Sequence, residues 1–572
     1  MVDTTHTLEV GTLPDLLIRR VMNIGIKRSW LAAFAAAALG VTLLAPNSVA
    51  ATQQLSPRQV NEKPVSALKP GGTFIYAVNQ MPDNFNTSHV DGNEAGVNYM
   101  QGTALPGVFT IDKYGAFVVD KNYASKAEIT KTSPQTITYT LNPKVKWSNG
   151  KSYGLADWVG FWKASNGTNK AFEIVSSTGY EDIKSIKAGS KPNEIVVVFS
   201  KTYADWQGLF GGILPADLTK TPEAFNTAWK TAPNASAGPF KYQGRDDTAK
   251  TVTYVRNPAW WGDKPVLDKI IFRALPVAAQ IDALANGEVD HIDIGPSAPN
   301  FKRANGLKGV SVRVSVAPNY RHMTFGQKSE WMKDPLVRQA ITTAVDRDAI
   351  ARAMIGPMDP KITSMDNHIF VKGLACYKNN SGALGEYNLQ LADQLLDKAG
   401  WLLVGGKRTK NGVVMDLRIT IPAAVPTSAQ EALMIQSFLK PLGIDLTVDV
   451  VPSDTFFSDY ITPGNYDMTL FTWLGTPLPI SSAASIFKTD GNQNYGKIGS
   501  PAIDKLFDEA NSILDPAKRC AAVTKADAAI WKLGHSIIMY QRPNIIGIDA
   551  NVANMGAWGF TSSDWTKVGF VK

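Results

Sequence analysis

Six histidines, at positions 6, 89, 291, 322, 368 and 535, and two cysteines, Cys376 and Cys520, are the residues of this 572-residue chain best suited to metal or nucleophilic chemistry. No two of them stand at the roughly three-to-five-residue spacing that turns a ligand pair toward one ion, so neither a metal site nor a metal cofactor is expected. No H-E-x-x-H, C-x-x-C, G-x-S-x-G, Walker or G-x-G-x-x-G pattern occurs, and no local context selects a nucleophile or a phosphate cradle. An enzyme is therefore not expected. What stands out instead is "TWLGTPLP", residues 472–479, where an alternating run ends on a tryptophan followed by glycine, threonine and two prolines. An uncharged indole at a strand end can either fill a core or form the wall of a binding cleft, because Trp offers a large rigid face with little entropy to lose.

The elements that must position such a wall are legible from hydrophobic period. Alternating strands are expected at 71–78, 136–141, 194–199 and 250–256; in "TITYTL" Ile137, Tyr139 and Leu141 share one face. Helices dominate after residue 330. Asp334 caps a helix with Pro335 in its first turn and Val337, Ile341, Ala344 and Val345 as its apolar stripe. Asn388 caps another, with Leu391, Leu395 and Ala399 on one face and Gly400 as its stop. A helical period then gives way to alternation at Ile444, Leu446, Val448 and Val450, the mark of an α/β unit. Charged residues are 19% and the formal net charge of +8 is spread without a basic run, which argues against nucleic-acid binding. Cys376 and Cys520 could pair or remain free.

Several stretches together resemble the family 5 extracellular solute-binding proteins, the peptide/nickel type that serves ABC transporters. They are "VKWSNGKSYGLADWVGFWK" (145–163), "SAGPFKYQGRDDTAKTVTYVRNPAWWGDKPVLDKIIFRAL" (236–275), "ALANGEVDHIDI" (283–294), "KDPLVRQAITTAVDRDAI" (333–350) and "LADQLLDKAGW" (391–401). The resemblance implies a mixed α/β, two-lobed, periplasmic-binding-protein-like clam of type II with an extra inserted subdomain. Lobe one would comprise residues 71–102, 235–320 and 541–572, the inserted subdomain 103–234, and lobe two 321–540. It implies a monomeric receptor that closes on a peptide or peptide-like solute and delivers it to an ABC permease. The alternative on the same fold is a non-transport scaffold recognising an envelope glycolipid such as mannosylated phosphatidylinositol. By the same resemblance Trp473 lines the ligand, Gly475 lets a bound chain approach, and Asn86, Asp293 and His322 are further cleft candidates. Thr476 stands where many peptide-binding members carry the aspartate that holds the ligand amine. Cations that some members place near the ligand's other end fall here on Ile461 and Leu470.

At the N-terminus, Lys27 and Arg28 precede an apolar run from Leu31 to Leu44 and then "APNSVA|AT", the pattern of a cleaved signal peptide over residues 1–50, with Met22 as an alternative start. Residues 51–70 read as a flexible leader, and the mature protein is expected outside the cytoplasm. No cysteine lies near the cleavage site for a lipid anchor. Intact-mass measurement of the exported protein should give an N-terminus at or near Ala51 and no diacylglycerol mass; a retained N-terminus contradicts the reading.

Overall fold

The computed structural model describes residues 58–112, 116–359, 361–374, 376–561 and 563–572. The signal-peptide and early leader calls fall outside them. Among the described residues the main strands form a seven-stranded, a five-stranded and a four-stranded sheet.

The seven-stranded sheet is built around strand Thr73–Val78, which pairs in parallel with Lys269–Ala274 on one side and with His291–Asp293 on the other. A strand with parallel neighbours on both edges is covered on both faces. Phe74, Phe272 and Ile548 accordingly sink into one core, while Ala77, Ile292 and Ile545 pack beneath helices Val277–Ala285 and Ala298–Asn305 in another. The chain's C-terminal part returns as strand Asn544–Asp549, antiparallel to both His291–Asp293 and Val310–Ser315. The four-stranded sheet, of strands Ala124–Thr132, Gln135–Leu141, Glu194–Phe199 and Ile183–Ala188, carries Ile137, Tyr139 and Leu141 inward as expected. Its apolar face belongs to the same continuous core as Phe74 and Phe240, so the inserted segment shares a core with the seven-stranded sheet.

The five-stranded sheet contains a parallel unit: strand Asp416–Pro422, helix Pro426–Leu439 and strand Asp445–Val451. Strand Met468–Trp473 pairs with Asp416–Pro422 and, antiparallel, with Tyr320–Phe325, which also pairs with Ser536–Gln541. A buried polar node locks the helix to this sheet. Arg321 donates to Glu431 Oε2 from Nε at 2.8 Å and to Ser428 Oγ at 2.7 Å, while the Tyr540 hydroxyl donates to Glu431 Oε1 at 2.6 Å. Glu431 is completely buried.

Three expectations are corrected. Residues 58–70 are not a flexible leader: Gln59 and Ala557 exchange backbone hydrogen bonds, Leu68 bridges to Val571, and Val60 and Leu68 are buried. The helix capped by Asp334 runs Pro335–Ala344 with its expected stripe buried, and Asp346 starts the next one, Arg347–Ile355, by accepting from Ala349 N at 2.8 Å. In the helix capped by Asn388 the buried positions are Ala392, Leu396 and Ala399, with Leu391 and Leu395 only half-buried, since the contact face is turned by one residue. In strand Asp445–Val451 the alternation slips at its end, leaving Val450 exposed and Val451 buried. The two cysteines do pair, joining Cys376 to Cys520 across 144 residues of sequence.

Replacing Glu431 with Ala leaves Arg321 buried beside no counter-charge, a change that typically costs about 3–5 kcal/mol. The melting temperature should fall markedly, and less for Glu431→Gln, which keeps an acceptor for Tyr540; equal melting of all three proteins contradicts this account of the node.

Candidate functional site

In open α/β sheets ligands bind beyond the carboxyl ends of the parallel strands. Those ends are Val78, Ala274 and Asp293 on the seven-stranded sheet and Pro422, Val451 and Trp473 on the five-stranded sheet. The chain passes between the two sheets through short segments, residues 316–319 and 542–543. Asn319 ties them together. Its carbonyl accepts from Arg542 N at 2.8 Å, its Oδ1 accepts from Gly475 N at 3.2 Å, and its Nδ2 donates to Asn544 Oδ1 at 3.4 Å. The candidate cleft is therefore set by the carboxyl ends of both sheets and floored by these links.

Trp473 stands at the end of its strand, half-buried. Its ring is nearly parallel to those of His322, 5.4 Å away, and Tyr495, 5.9 Å away, and meets Phe471 edge-on at 5.1 Å. With Tyr320, Val371, Thr476 and Ile486 it lines an apolar recess. Part of this indole packs in an aromatic stack and part faces the recess.

The other predicted residues divide. Thr476 is exposed at the recess, where its Oγ1 accepts from Leu478 N at 3.2 Å in a local turn. Asp293 lies at its strand end with both oxygens engaged, Oδ2 by Arg542 Nη2 at 2.8 Å and Oδ1 by Gly295 N at 2.9 Å. Gly475 also lines the recess, and a Cβ there would lie 2.2 Å from Pro318 O, so the chain's own link requires a glycine at this position. Asn86 is completely buried and spends its side chain on Phe225 O and Ser88 N, fixing the loop after Thr73–Val78 without reaching the cleft. His322 is buried behind Trp473 with Nδ1 3.0 Å from Thr324 Oγ1, and burial, then Arg321, hold its pKa well below the usual range. It is a neutral support of the wall. Ile461 and Leu470 are fully buried core residues, so they are not cleft positions vacated by cations.

Sequence reading missed Asn319 and Arg542, which belong to no motif. The only signal was an arginine and a proline following the apolar strand "SIIMYQ". It also missed the seal on one flank. Asp205, buried in the segment after strand Glu194–Phe199, pairs with Arg519 at 2.5 Å and accepts from Ser481 N at 3.2 Å, while Ala204 N donates to Asn511 O at 2.7 Å. The Cys376–Cys520 bond anchors the helix bearing Arg519 to the loop that supplies Val371 and Leu374 to the recess.

Three substitutions test this geometry. Gly475→Ala forces Pro318 to move and should cost roughly 1–3 kcal/mol by overpacking, whereas Thr476→Ala, losing one exposed turn contact, should cost less than about 1 kcal/mol; equal effects in thermal melts contradict the close approach. At the loop opening helix Ala95–Gln101, burial and then the neighbouring Asp83 push the Glu94 carboxyl up to about 8. Because the folded value is raised, its contribution to stability is complete below about pH 4.5 and is lost as pH rises through about 8. Glu94→Gln should flatten that part of the melting-temperature profile, and an unchanged slope contradicts it.

The comparisons with known proteins agree with this geometry. Residues 121–495 match the profile described as bacterial extracellular solute-binding proteins, family 5 middle. The oligopeptide-binding protein OppA of Mycobacterium tuberculosis is 37% identical over 517 residues, covering 90% of this chain and 87% of the relative. Among solved structures, the periplasmic EDTA-binding protein EppA superposes with a TM-score of 0.81 at 26% identity, over 90% of this chain and 98% of its own. The oligopeptide-binding protein AppA of Bacillus subtilis, in complex with a nonapeptide, does so at 0.78 and 19% identity, over 88% and 100%. The fold is the two-lobed one of periplasmic binding proteins, and the chain belongs to family 5 of the bacterial extracellular solute-binding proteins.

Proposed function

We propose that this protein is an extracytoplasmic receptor that closes its two lobes around an oligopeptide or peptide-like solute and presents it, as a monomer, to an ABC import permease. The observation that carries the reading is the pair of sheets linked at Asn319, with Trp473 at the end of its strand beside that link and facing a recess. A relative named as oligopeptide-binding, aligned over 90% of this chain, favours peptide over the glycolipid alternative. We assign residues 71–102, 235–320 and 541–572 to one lobe, 103–234 to its insertion and 321–540 to the other. Trp473 and Thr476 would touch ligand directly, with Gly475 and His322 supporting the wall and Asn86 holding the loop after strand Thr73–Val78. Ligand that bridges both lobes shifts the population toward closure, which is the signal a permease reads. Among the described residues no helix is long and apolar enough to cross a membrane.

Trp473→Ala should weaken binding of a peptide ligand by roughly 1–3 kcal/mol in calorimetry. A folded variant with undiminished affinity would remove Trp473 from the ligand wall. Thr476 supplies a hydroxyl where an aspartate would oppose a buried ammonium, and that hydroxyl is already used by Leu478 N. A charge-assisted bond is worth about 1.5–3 kcal/mol, so without one, acetylating the N-terminus of a bound peptide should change affinity by less than about tenfold. A hundredfold loss in matched titrations would show that another carboxylate grips the amine.

A further inference from the structure

Among the described residues several buried arginines are saturated with hydrogen bonds and others are not. Arg338 makes four hydrogen bonds, to Gly534 O, Met332 O, Lys333 O and Leu533 O. Arg347 and Arg408 also make four each, to backbone carbonyls and to Asp366, Asp393 and Asp397. Such saturation is what burial of a guanidinium demands, since an unpaired charge or donor out of water is expensive. Arg542 is not saturated, and neither is Arg519, two of whose donors are buried without a hydrogen-bond partner. The Arg542 side chain is only 15% exposed, yet among the described residues its guanidinium makes a single hydrogen bond, from Nη2 to Asp293 Oδ2. A guanidinium has five donors in a planar fork, so most of this one is uncommitted.

Its position explains why that matters. Arg542 occupies the two-residue link between the sheets, its backbone pinned to Asn319 O, with its Nη2 3.0 Å from where a Cβ of Gly295 would sit. That location is the floor between the carboxyl ends of both sheets. The half-exposed Tyr99, on helix Ala95–Gln101, stands near the Asp293–Arg542 pair and adds a hydroxyl. Asp293 balances the charge of Arg542 and orients its fork through Oδ2, while its Oδ1 accepts from Gly295 N.

Building on the receptor reading above, we propose that Arg542 receives a carboxylate of the bound ligand through its free donors, with Asp293 as its positioning residue. A planar bidentate pair suits carboxylate geometry and is one of the stronger polar contacts a cleft can make.

The test uses a hexapeptide without acidic side chains and its C-terminally amidated twin, titrated into wild type, Arg542→Gln, Arg542→Lys and Asp293→Asn, with melting curves as the fold check. Amidation should cost wild type at least about tenfold in affinity, Arg542→Gln no more than about twofold, and Arg542→Lys, which keeps the charge without the fork, an intermediate amount. Asp293→Asn should still discriminate. The proposal is overturned if wild type ignores amidation, or if every variant loses equally on amidation. Should Arg542→Gln not fold, Arg542→Lys decides by the same comparison. Binding of neither peptide overturns the peptide reading and this proposal together, whereas peptide binding indifferent to amidation overturns this proposal alone.

Discussion

The amide of Asn319 is the interaction on which the rest depends. Where a chain leaves one sheet for another, its backbone groups lose their strand partners and must find others. Here one side chain and its carbonyl satisfy donors from both the Arg542 link and the end of the Trp473 strand, and reach Asn544 beyond. The close approach of Pro318 to Gly475 locks the same point by shape. Two short links bonded to one another form a narrow joint that can absorb rotation while keeping the registers of both sheets. That is the mechanical condition for hinge closure.

Around that joint the lobes are stiffened by opposite strategies. The seven-stranded sheet and the inserted four-stranded sheet share an apolar core, so they are built to move as one body. The five-stranded sheet relies in addition on buried charge: Arg321, Glu431 and Tyr540 lock its crossover helix, and Arg338 and Arg347 staple helices to the strand near Ile538. Buried ion pairs are weak sources of net stability but punish any rearrangement that separates them. The Asp205–Arg519 pair applies the same physics between the inserted segment and helix Pro516–Leu533.

Much of the fold was legible because its signals are local. Caps at Asp334 and Asn388, the alternation of Ile137, Tyr139 and Leu141, and the helix-to-strand change near Ile444 each depend on neighbours a few residues away. Small rotations were not legible. Whether Leu395 or Leu396 faces inward, or whether Val450 or Val451 does, is decided by a neighbouring element whose position no local pattern encodes.

The candidate site separates along the same line. By itself the amino-acid sequence determined that Trp473 ends a strand, that Thr476 supplies no charge, and that the family's motifs recur in order. Tertiary structure alone decided that Gly475 serves Pro318, that Asn86 and His322 turn their polar atoms into the protein, and that Cys376 meets Cys520. It alone brought Arg542 beside Asp293, across 249 residues of chain. The reason is physical: a residue's secondary structure is set largely by its near neighbours along the chain, whereas the partners that consume or spare its hydrogen-bonding capacity come from wherever folding brings the chain back.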